Sequence, residues 1–577
     1  MTTPPDGAAE RPGNSSRSVR FRTEIGLTRP EPSDRSDAGE PVEHWDALVV
    51  GGGIAGLTAA WELARAGLRP LLVEARGYTG GLVAAGMIAG VRMDLGAEGF
   101  AMRGDAVISM AEALGLEVIG PQGGGAHLFL PPRPDEPEPP PSADDPAHGW
   151  RLHRFVRNAV LGIPAHPLAD DVVALIGPAA AERAARDAHL GDIGTRPGDP
   201  ADLASFVRAR MGDAVLDRLV GPIVAGIHSS DPAALAADTV IPGLRAATAR
   251  LGSLQAAVGQ SLEQQRAHGR GKADATIAGG LSRLTDALRT AIEDAGGHVL
   301  TRTGAQWLRP TDKAGETGGE SADTPGTRPL WDAAIAPTRR GATPSDEPVP
   351  VGPVRIVRTP RVVLACSAPA ARRLLDGAGC TGAGLLIPSI PSIPVGAPIA
   401  RFMLVARVPD LEGAPVGSGL LVAEAESCPV RAKALSHLSV KWPWIGTELA
   451  ARHGPDVHAL RLSYGRPGES RPDVDLDRAL ADIRVLTGRR IAPDDVIDSA
   501  LVRWDGTLPP TAPDHRERVR RLRARLEGIP GLVLTGAWVA GTGIAAVVED
   551  ARRQTIAMTG ADAGSLPVAS ASIHQEE

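Results

Sequence analysis

The chain has 577 residues, of which 43% are hydrophobic and 22% are charged, a composition typical of globular proteins. Its formal net charge of -7 argues against a nucleic-acid-binding protein, which would carry a basic surface. Three widely spaced cysteines without a CxxC pattern argue against a disulfide framework or a structural metal, and they favour a reducing, cytoplasmic location. Because no run of 18 apolar residues occurs, we expect no membrane span.

Four segments rich in Pro, Gly, Asp or Ser lack the apolar pattern of a core. We expect each of them to be disordered, solvated chain. They are the N-terminal extension 1–44, the Pro-rich stretch 130–149, the stretch 309–350 and the tail 561–577. The two internal segments are expected to be surface insertions, since long loops cost little additional closure entropy.

Between these segments the pattern predicts strands and helices in a definite order. Residues 45–118 read as strand, glycine turn, helix and strand, the beginning of a doubly wound sheet. Residues 151–270 read mostly as helices, with Asp202 placed to cap the helical pattern of 202–227. Further elements are predicted downstream: a loop and helix at 276–297, strands at 298–308, 361–366, 401–408 and 419–425, and strand, glycine turn and helix at 531–554.

The first glycine turn has the spacing of a dinucleotide-binding motif. Gly51, Gly53 and Gly56 form G-x-G-x-x-G between an apolar strand and a helix. The first glycine permits the tight turn, the second lets backbone N–H groups approach a pyrophosphate, and the third lets the helix pack on the sheet. Glu74, 23 residues after Gly51, ends the second strand, where its carboxylate can accept a hydrogen bond from a ribose hydroxyl. The spacing predicts dinucleotide binding; the alternative is a glycine turn kept for packing alone.

Beyond this turn the chain resembles a known family over nearly its whole length. A second double glycine (Gly80–Gly81) is followed by "DLGAEGF" (94–100), and at this point the sequence resembles the FAD-dependent amine-oxidase-like superfamily. Within it, the chain is similar to the coproporphyrinogen III and protoporphyrinogen IX oxidases of haem biosynthesis. The specific similarities are "MGDAVLDRLVGPIVAGIHSSDP" (211–232), "IAGGLSRLTDAL" (277–288), "SVKWPW" (439–444), "VRWDGTLP" (502–509) and "PGLVLTGAWVAGTGI" (530–544).

The resemblance implies an α/β fold with a discontinuous Rossmann-like FAD-binding domain, a mixed-sheet substrate domain and a helical subdomain. The implied divisions are 45–118, 271–385 and 501–560 for the FAD-binding domain, 119–270 for the helical subdomain and 386–500 for the substrate domain. The implied FAD-binding residues are Gly51, Gly52, Gly53, Ile54, Ala55, Gly56, Glu74, Ala75, Gly80, Gly81, Gly96, Ala97, Glu98, Gly99, Ala305, Trp504, Thr542, Gly543 and Ile544. For Trp504 the sequence without the resemblance favours ordinary core packing.

The resemblance also implies a reaction and its partners. The expected reaction is the six-electron oxidation of coproporphyrinogen III, with protoporphyrinogen IX as an alternative or additional substrate. Each two-electron step passes a hydride to the flavin, and O₂ reoxidises the flavin to give H₂O₂. No catalytic acid or base is named, because the flavin supplies the redox chemistry. A ferrochelatase is a possible recipient of the product, and peripheral membrane contact stays open.

Cationic side chains are expected around the substrate, because coproporphyrinogen III carries four propionates. The candidates are Lys441, Arg103, Arg208 and Arg210; for each arginine a solvated helix face is the alternative.

Four positions depart from the family pattern. The family usually has basic residues where this chain has Tyr78 and Leu82, a Gln-Tyr pair where it has Pro510–Thr511, and a proline where it has Ala545. These departures bear on turnover more than on flavin binding.

Two further functions are compatible with the same fold. A flavin amine oxidase or carotenoid-type desaturase is one, although only two tyrosines, Tyr78 and Tyr464, are present to form the aromatic cage of an amine oxidase. A flavin-binding protein without turnover is the other.

Overall fold

Short runs of buried Val, Leu and Ala form a sheet of five parallel strands. In spatial order the strands are His298–Thr301, Pro70–Glu74, Ala47–Val50, Val362–Leu364 and Leu532–Leu534. The computed structural model describes residues 34–35, 41–102, 104–136, 145–267, 274–311, 330–341, 346–378, 390, 396–466, 468–505 and 514–560. Because the strands come from three distant segments, the predicted discontinuous α/β fold is confirmed.

Both faces of this parallel sheet are covered by helices, as parallel sheets require. Alternate strand residues such as Val49 and Leu72 pack on one side, and Leu48 and Leu71 on the other. The helices of the first side are Ile54–Arg65, Ala106–Ala113, Ser282–Asp294 and Ile544–Thr559; those of the second are Ala368–Ala378 and His515–Leu526.

A second, six-stranded sheet corrects two predictions of disorder. Its strands are Asp34–Arg35, Pro41–His44, Arg355–Thr359, Leu330–Arg339, Thr303–Thr311 and Val349–Pro350. Val42 is buried, and Arg355 forms two hydrogen bonds of 2.7 and 2.6 Å to Glu43. Trp331 and Ile335 are also fully buried. The expectation of solvated chain is therefore wrong for residues 41–44 and 330–339, whose apolar residues are hidden among Pro, Gly and Asp neighbours.

A third sheet of seven strands, here called the substrate sheet, draws on several predicted domains. Its strands, in spatial order, are Arg151–Arg154, Ala126–Leu130, Gly419–Val422, Ala434–His437, Val457–Tyr464, Pro398–Arg407 and Val496–Asp505. Two predicted boundaries are thus wrong. The strands at 126–130 and 151–154 belong to this sheet rather than to the helical subdomain, and 501–505 belongs to it rather than to the FAD-binding domain.

The helical subdomain packs on one face of the substrate sheet, in a shared hydrophobic cluster. Its helices are Asp170–Ile176, Pro178–Ala185, Leu203–Met211, Asp213–Val215, the π-helix Leu216–Val220, Gly221–His228, Ala237–Val240, Leu244–Leu251 and Leu254–Ala267. Asp202 caps the third of these as predicted, accepting a hydrogen bond of 2.7 Å from the Ser205 N–H. The predicted helical stretch 202–227 is interrupted at Gly212, whose φ of 91° is incompatible with a right-handed helix.

The ends of the Pro-rich stretch are also structured. Arg218 donates hydrogen bonds to the carbonyls of Pro131 and Pro132, at 3.1 and 3.4 Å, so the expectation of solvated chain is wrong for these residues. The predictions for 1–33, 137–144, 312–329 and 561–577 lie outside the described residues.

The remaining elements connect the three sheets. The short strands are Ala85–Ile88, Val91–Asp94, Phe100–Ala101, Val118–Ile119, Ala159–Val160, Ile163–Pro164 and Asp274–Ile277, and the further helices are Leu438–Lys441, Pro443–His453, Leu476–Thr487 and Ala537–Ala540. Within the described part of the chain, no helix has the length and apolar character needed to cross a bilayer.

Candidate functional site

The first glycine turn has the geometry that its spacing predicts. Gly51 has a φ of 108°, and a Cβ there would lie 2.7 Å from the Ala365 carbonyl oxygen. A Cβ at Gly56 would lie 1.8 Å from the carbonyl oxygen of Gly51, so only glycine lets the helix approach the strand this closely. A Cβ at Gly53, by contrast, would meet no described atom within 4 Å. Two glycines are thus required by packing, and the third faces an open space.

Glu74 fixes the turn from the neighbouring strand. Its Oε2 accepts a hydrogen bond from the Gly52 N–H and its Oε1 one from the Arg76 N–H, both at 2.7 Å. Burial raises the pKa of Glu74, while these backbone donors act in the opposite direction. A carboxylate oxygen can accept more than one hydrogen bond, so Glu74 can hold the turn and still accept from a ribose hydroxyl.

The helix that begins at the turn packs in parallel with the helix near the C-terminus. Ala55 shares a buried cluster with Val547, close to the beginning of both helices. Further along, Arg552 Nε lies 2.6 Å from Glu62 Oε1, whose side chain is fully buried. The N-termini of Ile54–Arg65 and Ile544–Thr559 therefore lie at the same end of the pair. Each terminus carries unpaired N–H groups and the positive end of a helix dipole.

These features fit a dinucleotide. Helix N-termini favour anions, and a pyrophosphate is such an anion. The open space at Gly53 lies at the first of these termini. The predicted residues Thr542, Gly543 and Ile544 form the beginning of the second helix, with Gly543 at the N-cap. The residues present therefore fit a bound dinucleotide, held by these two turns and Glu74.

The second double glycine is joined directly to the first turn. Gly80 N–H donates to the Gly52 carbonyl oxygen at 2.7 Å, and Gly53 pairs with Gly80 as an isolated bridge. A Cβ at Gly81 would lie 3.3 Å from Gly53 Cα. The sequence placed these glycines in one site, and the structure brings them into contact.

Ala75 and Ala305 lie beyond the same turn, where the parallel sheet meets the six-stranded sheet. Thr338 Oγ1 donates to the Ala75 carbonyl oxygen at 2.5 Å, and a Cβ at Gly304 would lie 3.4 Å from Ala75 Cβ. A register shift follows Ala305, so its backbone departs from regular pairing. That irregularity is consistent with the FAD-binding role that the resemblance implies for Ala305.

The loop Gly96–Gly99 carries a buried ion-pair cluster. Glu98 lies 2.8 Å from Lys441 Nζ and 2.8 Å from Arg461 Nη2. Arg401 and Arg461 both donate to the Gly96 carbonyl oxygen. Burial acts to raise the pKa of Glu98, but Arg461 and Lys441 outweigh it and lower that pKa to about 2. The loop is thus tied to the substrate sheet by charge.

Trp504 borders this loop. It is 5% exposed, and a Cβ at Gly96 would lie 3.4 Å from its ring. Ala97 N–H donates to the Leu82 carbonyl oxygen at 2.8 Å, which connects the loop to the second double glycine. The structure therefore groups the predicted residues Gly80–Gly81, Gly96–Gly99 and Trp504.

The predicted substrate cations are placed differently from one another. The prediction that Arg210 contacts the substrate is wrong. Arg210 is fully buried, pairs with Asp187 at 2.5 Å and donates to four backbone carbonyls, so it is a structural residue. Arg208 forms a partly exposed ion pair with Asp213 at 2.6 Å, as the solvated alternative predicted. Lys441 belongs to the Glu98 cluster. Arg103 lies outside the described residues.

Two of the family departures are compensated locally. Burial raises the pKa of Tyr78, and Arg76 and Arg340 lie close enough to oppose that shift, so cations are present near the altered position. Ala545 is 8% exposed and fills the core where the family has proline. Leu82 packs in the Trp504 cluster. Pro510–Thr511 lies outside the described residues.

Arg401 and Arg461 were missed by sequence reasoning. Each is an arginine in the interior of a mostly apolar strand, in "PIARFMLVAR" and "VHALRLSY". A charge at a buried strand position needs a partner, and that signal could have identified both residues.

Comparisons with known proteins agree with this site. Residues 54–310 match the family of flavin containing amine oxidoreductases. The chain is 29% identical to a coproporphyrinogen III oxidase of Mycobacterium tuberculosis, over 88% of this chain and 95% of that protein. It is 27% identical to the coproporphyrinogen III oxidase of Mycobacterium leprae, over 88% and 96%. Its fold matches the crystal structure of an Exiguobacterium protein described as a protoporphyrinogen oxidase, with a TM-score of 0.65, 21% identity and coverage of 90% and 99%.

The glycine turns and the parallel helix N-termini fit a dinucleotide, which is consistent with the flavin named by the matching family. The chain is therefore similar to the flavin-containing amine oxidoreductases over residues 54–310 and to coproporphyrinogen III oxidases over most of its length, and its cofactor is FAD.

Proposed function

We propose that this protein is an FAD-dependent oxidase that converts coproporphyrinogen III to coproporphyrin III, with O₂ as the electron acceptor. Six electrons and six hydrogens leave the substrate in three steps, and three O₂ become three H₂O₂. The flavin, when bound, supplies the two-electron chemistry. A ferrochelatase is the proposed recipient of the product. Protoporphyrinogen IX, which carries two propionates, is the alternative substrate.

The charge beside Trp504 carries this proposal. Lys441, Arg461 and Arg401 gather around the buried carboxylate Glu98, and Lys441 also lies 3.7 Å from Asp274, so three cations meet two carboxylates at the junction between flavin loop and substrate sheet. A positive junction attracts a substrate with several carboxylates and repels the ammonium group of an amine. The similarity to coproporphyrinogen III oxidases over 88% of the chain supports the same substrate class.

The position of Tyr464 disfavours the amine oxidase alternative. Tyr464, one of only two tyrosines in the chain, is 1% exposed and packs in the cluster shared with the helical subdomain. It lies on the opposite face of the substrate sheet from the Trp504 cluster, so it does not contribute to an aromatic cage there.

The chain's own residues are proposed to position and shield the reaction. Glu74 and the two glycine turns hold the dinucleotide, and Trp504 closes one wall of the site from water. The cation cluster orients the substrate carboxylates, and no side chain is assigned as an acid or base.

Anaerobic mixing tests the proposal. Purified holoprotein is mixed with coproporphyrinogen III, protoporphyrinogen IX or benzylamine, and bleaching of the oxidised flavin absorbance is followed in a stopped-flow instrument. We expect fast bleaching with coproporphyrinogen III, none with the amine, and one H₂O₂ for each two electrons after air is admitted. Flavin that stays oxidised with every porphyrinogen would instead support a flavin-binding protein without turnover.

A further inference from the structure

The cations around Glu98 are not balanced by carboxylates. Glu98 pairs with Lys441 and Arg461, and Lys441 also lies 3.7 Å from Asp274. Among the described residues, no carboxylate lies within ion-pair distance of Arg401. Arg401 is therefore the cation of this cluster that has no carboxylate within ion-pair distance in the described part of the chain.

Arg401 is also incompletely hydrogen-bonded. Its Nη1 donates to the Gly96 carbonyl oxygen, whereas its Nε is buried and has no acceptor among the described residues. Burial, and then the nearby Arg461, lowers the pKa of Arg401 to about 9. Leaving a buried donor of a charged group unpaired costs more than 1 kcal/mol in general, so such a group points to a ligand.

The unpaired edge of the guanidinium has a defined chemistry. Because Nη1 is engaged by Gly96, the edge formed by Nε and Nη2 remains, and this pair of parallel N–H donors matches the two oxygens of a carboxylate. Arg401 is half-buried, next to Val502 and Ser463 on the neighbouring strands. The carbonyl that it binds belongs to Gly96, which borders Trp504. The unpaired edge is thus at the proposed substrate site.

We propose that the Nε–Nη2 edge of Arg401 binds a propionate carboxylate of the tetrapyrrole as a bidentate ion pair. Lys441 and Arg461, in contrast, act mainly as positioning residues that hold the Gly96–Gly99 loop through Glu98. This inference rests on the proposed function, and it assigns the substrate contact to Arg401, which was not among the four candidate cations of the sequence analysis.

The test measures binding without turnover. Coproporphyrin III, the proposed product, carries four carboxylates, and its tetramethyl ester has the same ring without the charges. Binding of each to FAD-loaded wild type, Arg401→Met and Arg401→Lys is measured by porphyrin fluorescence at constant low detergent. Arg407→Met is the matched control, since Arg407 lies on the same strand but bonds to the carbonyls of His453 and Pro455 at its far end.

We expect Arg401→Met to weaken coproporphyrin III binding by about 10- to 100-fold, the loss of one charge-assisted pair. Binding of the ester and the FAD content should stay at the wild-type level, Arg401→Lys should be intermediate, and Arg407→Met should match wild type. Unchanged coproporphyrin III affinity in Arg401→Met would overturn the inference. An equal loss for acid and ester, or loss of FAD, would also overturn it, because either would show a packing or cofactor role.

Failure of the proposed function would be visible in the wild type. Wild type that binds neither porphyrin refutes both proposals together, before any substitution is made. Wild type that binds coproporphyrin III, with Arg401→Met binding it equally well, refutes only the role of Arg401.

Discussion

Replacing Gly53 by valine should abolish FAD binding and leave the apoprotein folded. Gly53 has a φ of -70° and a ψ of 177°, an extended conformation that valine adopts without strain. No described atom lies within 4 Å of its Cβ position, so the added side chain enters the open space at the helix N-terminus. That space is the one assigned to the pyrophosphate.

The magnitude follows from the contacts that are lost. Displacing a pyrophosphate from two backbone N–H groups removes two charge-assisted hydrogen bonds, about 1.5–3 kcal/mol each. The total of about 3–6 kcal/mol corresponds to a rise in the Kd for FAD of roughly 10²- to 10⁴-fold. Valine is a poorer N-cap than glycine, which costs the apoprotein about 1 kcal/mol.

The assay compares apoproteins and then FAD binding. Both apoproteins are unfolded in urea to obtain the free energy of unfolding, and FAD is titrated by quenching of its fluorescence. Gly259→Val is the matched control, because Gly259 lies in a helix and its Cβ position also has no described atom within 4 Å. Retention of wild-type FAD affinity in Gly53→Val would refute the assignment of the phosphate site. Collapse of the apoprotein would refute the claim that the space is open.

Arg210→Met should cost about 3–5 kcal/mol of unfolding free energy, because it strands a fully buried carboxylate partner, whereas the exposed Arg208→Met should cost less than about 1 kcal/mol. Equal urea unfolding curves for the two variants would contradict this prediction. Burial and neighbouring guanidinium groups lower the pKa of Lys433 to about 7, against 10.5 when unfolded. As the pH rises from about 7 to 10.5, the folded state loses this proton before the unfolded state does. The free energy of unfolding of the wild type therefore increases over this pH range. Lys433→Met removes the gain, so its unfolding free energy should fall behind wild type by about 2–3 kcal/mol more at pH 9 than at pH 6. If the difference in unfolding free energy between wild type and Lys433→Met did not change with pH, Lys433 would not be the source of the pH dependence. Deleting residues 1–33 should leave the Tm unchanged, whereas deleting 1–44 should lower it by several degrees, since a buried strand and its bidentate ion pair are lost. The same Tm for both deletions would show that this strand contributes nothing.

The first glycine turn and its acidic partner could be predicted from the sequence, because the residues that form them lie close together along the chain. Gly56 lies against the carbonyl oxygen of Gly51, five residues earlier, and Glu74 follows at the end of the next strand. Asp202 likewise caps a helix through a residue three positions away. Such contacts need no knowledge of the rest of the fold. The resemblance then supplied the distant parts of the same site, including the beginning of the second helix at Gly543.

Only the tertiary structure decided which charges are available to a ligand. Arg210 and Arg208 lie two positions apart on one helix, yet one is sealed in the core and the other faces solvent. Lys441 is neutralised by Glu98, more than 300 residues away in the chain, whereas Arg401 has no carboxylate within ion-pair distance among the described residues. The strands at 41–44 and 330–339 were overlooked for the same reason, because their burial depends on partners such as 355–359. Charge pairing and sheet pairing over such separations are set by how the chain folds back on itself, and no local pattern records them.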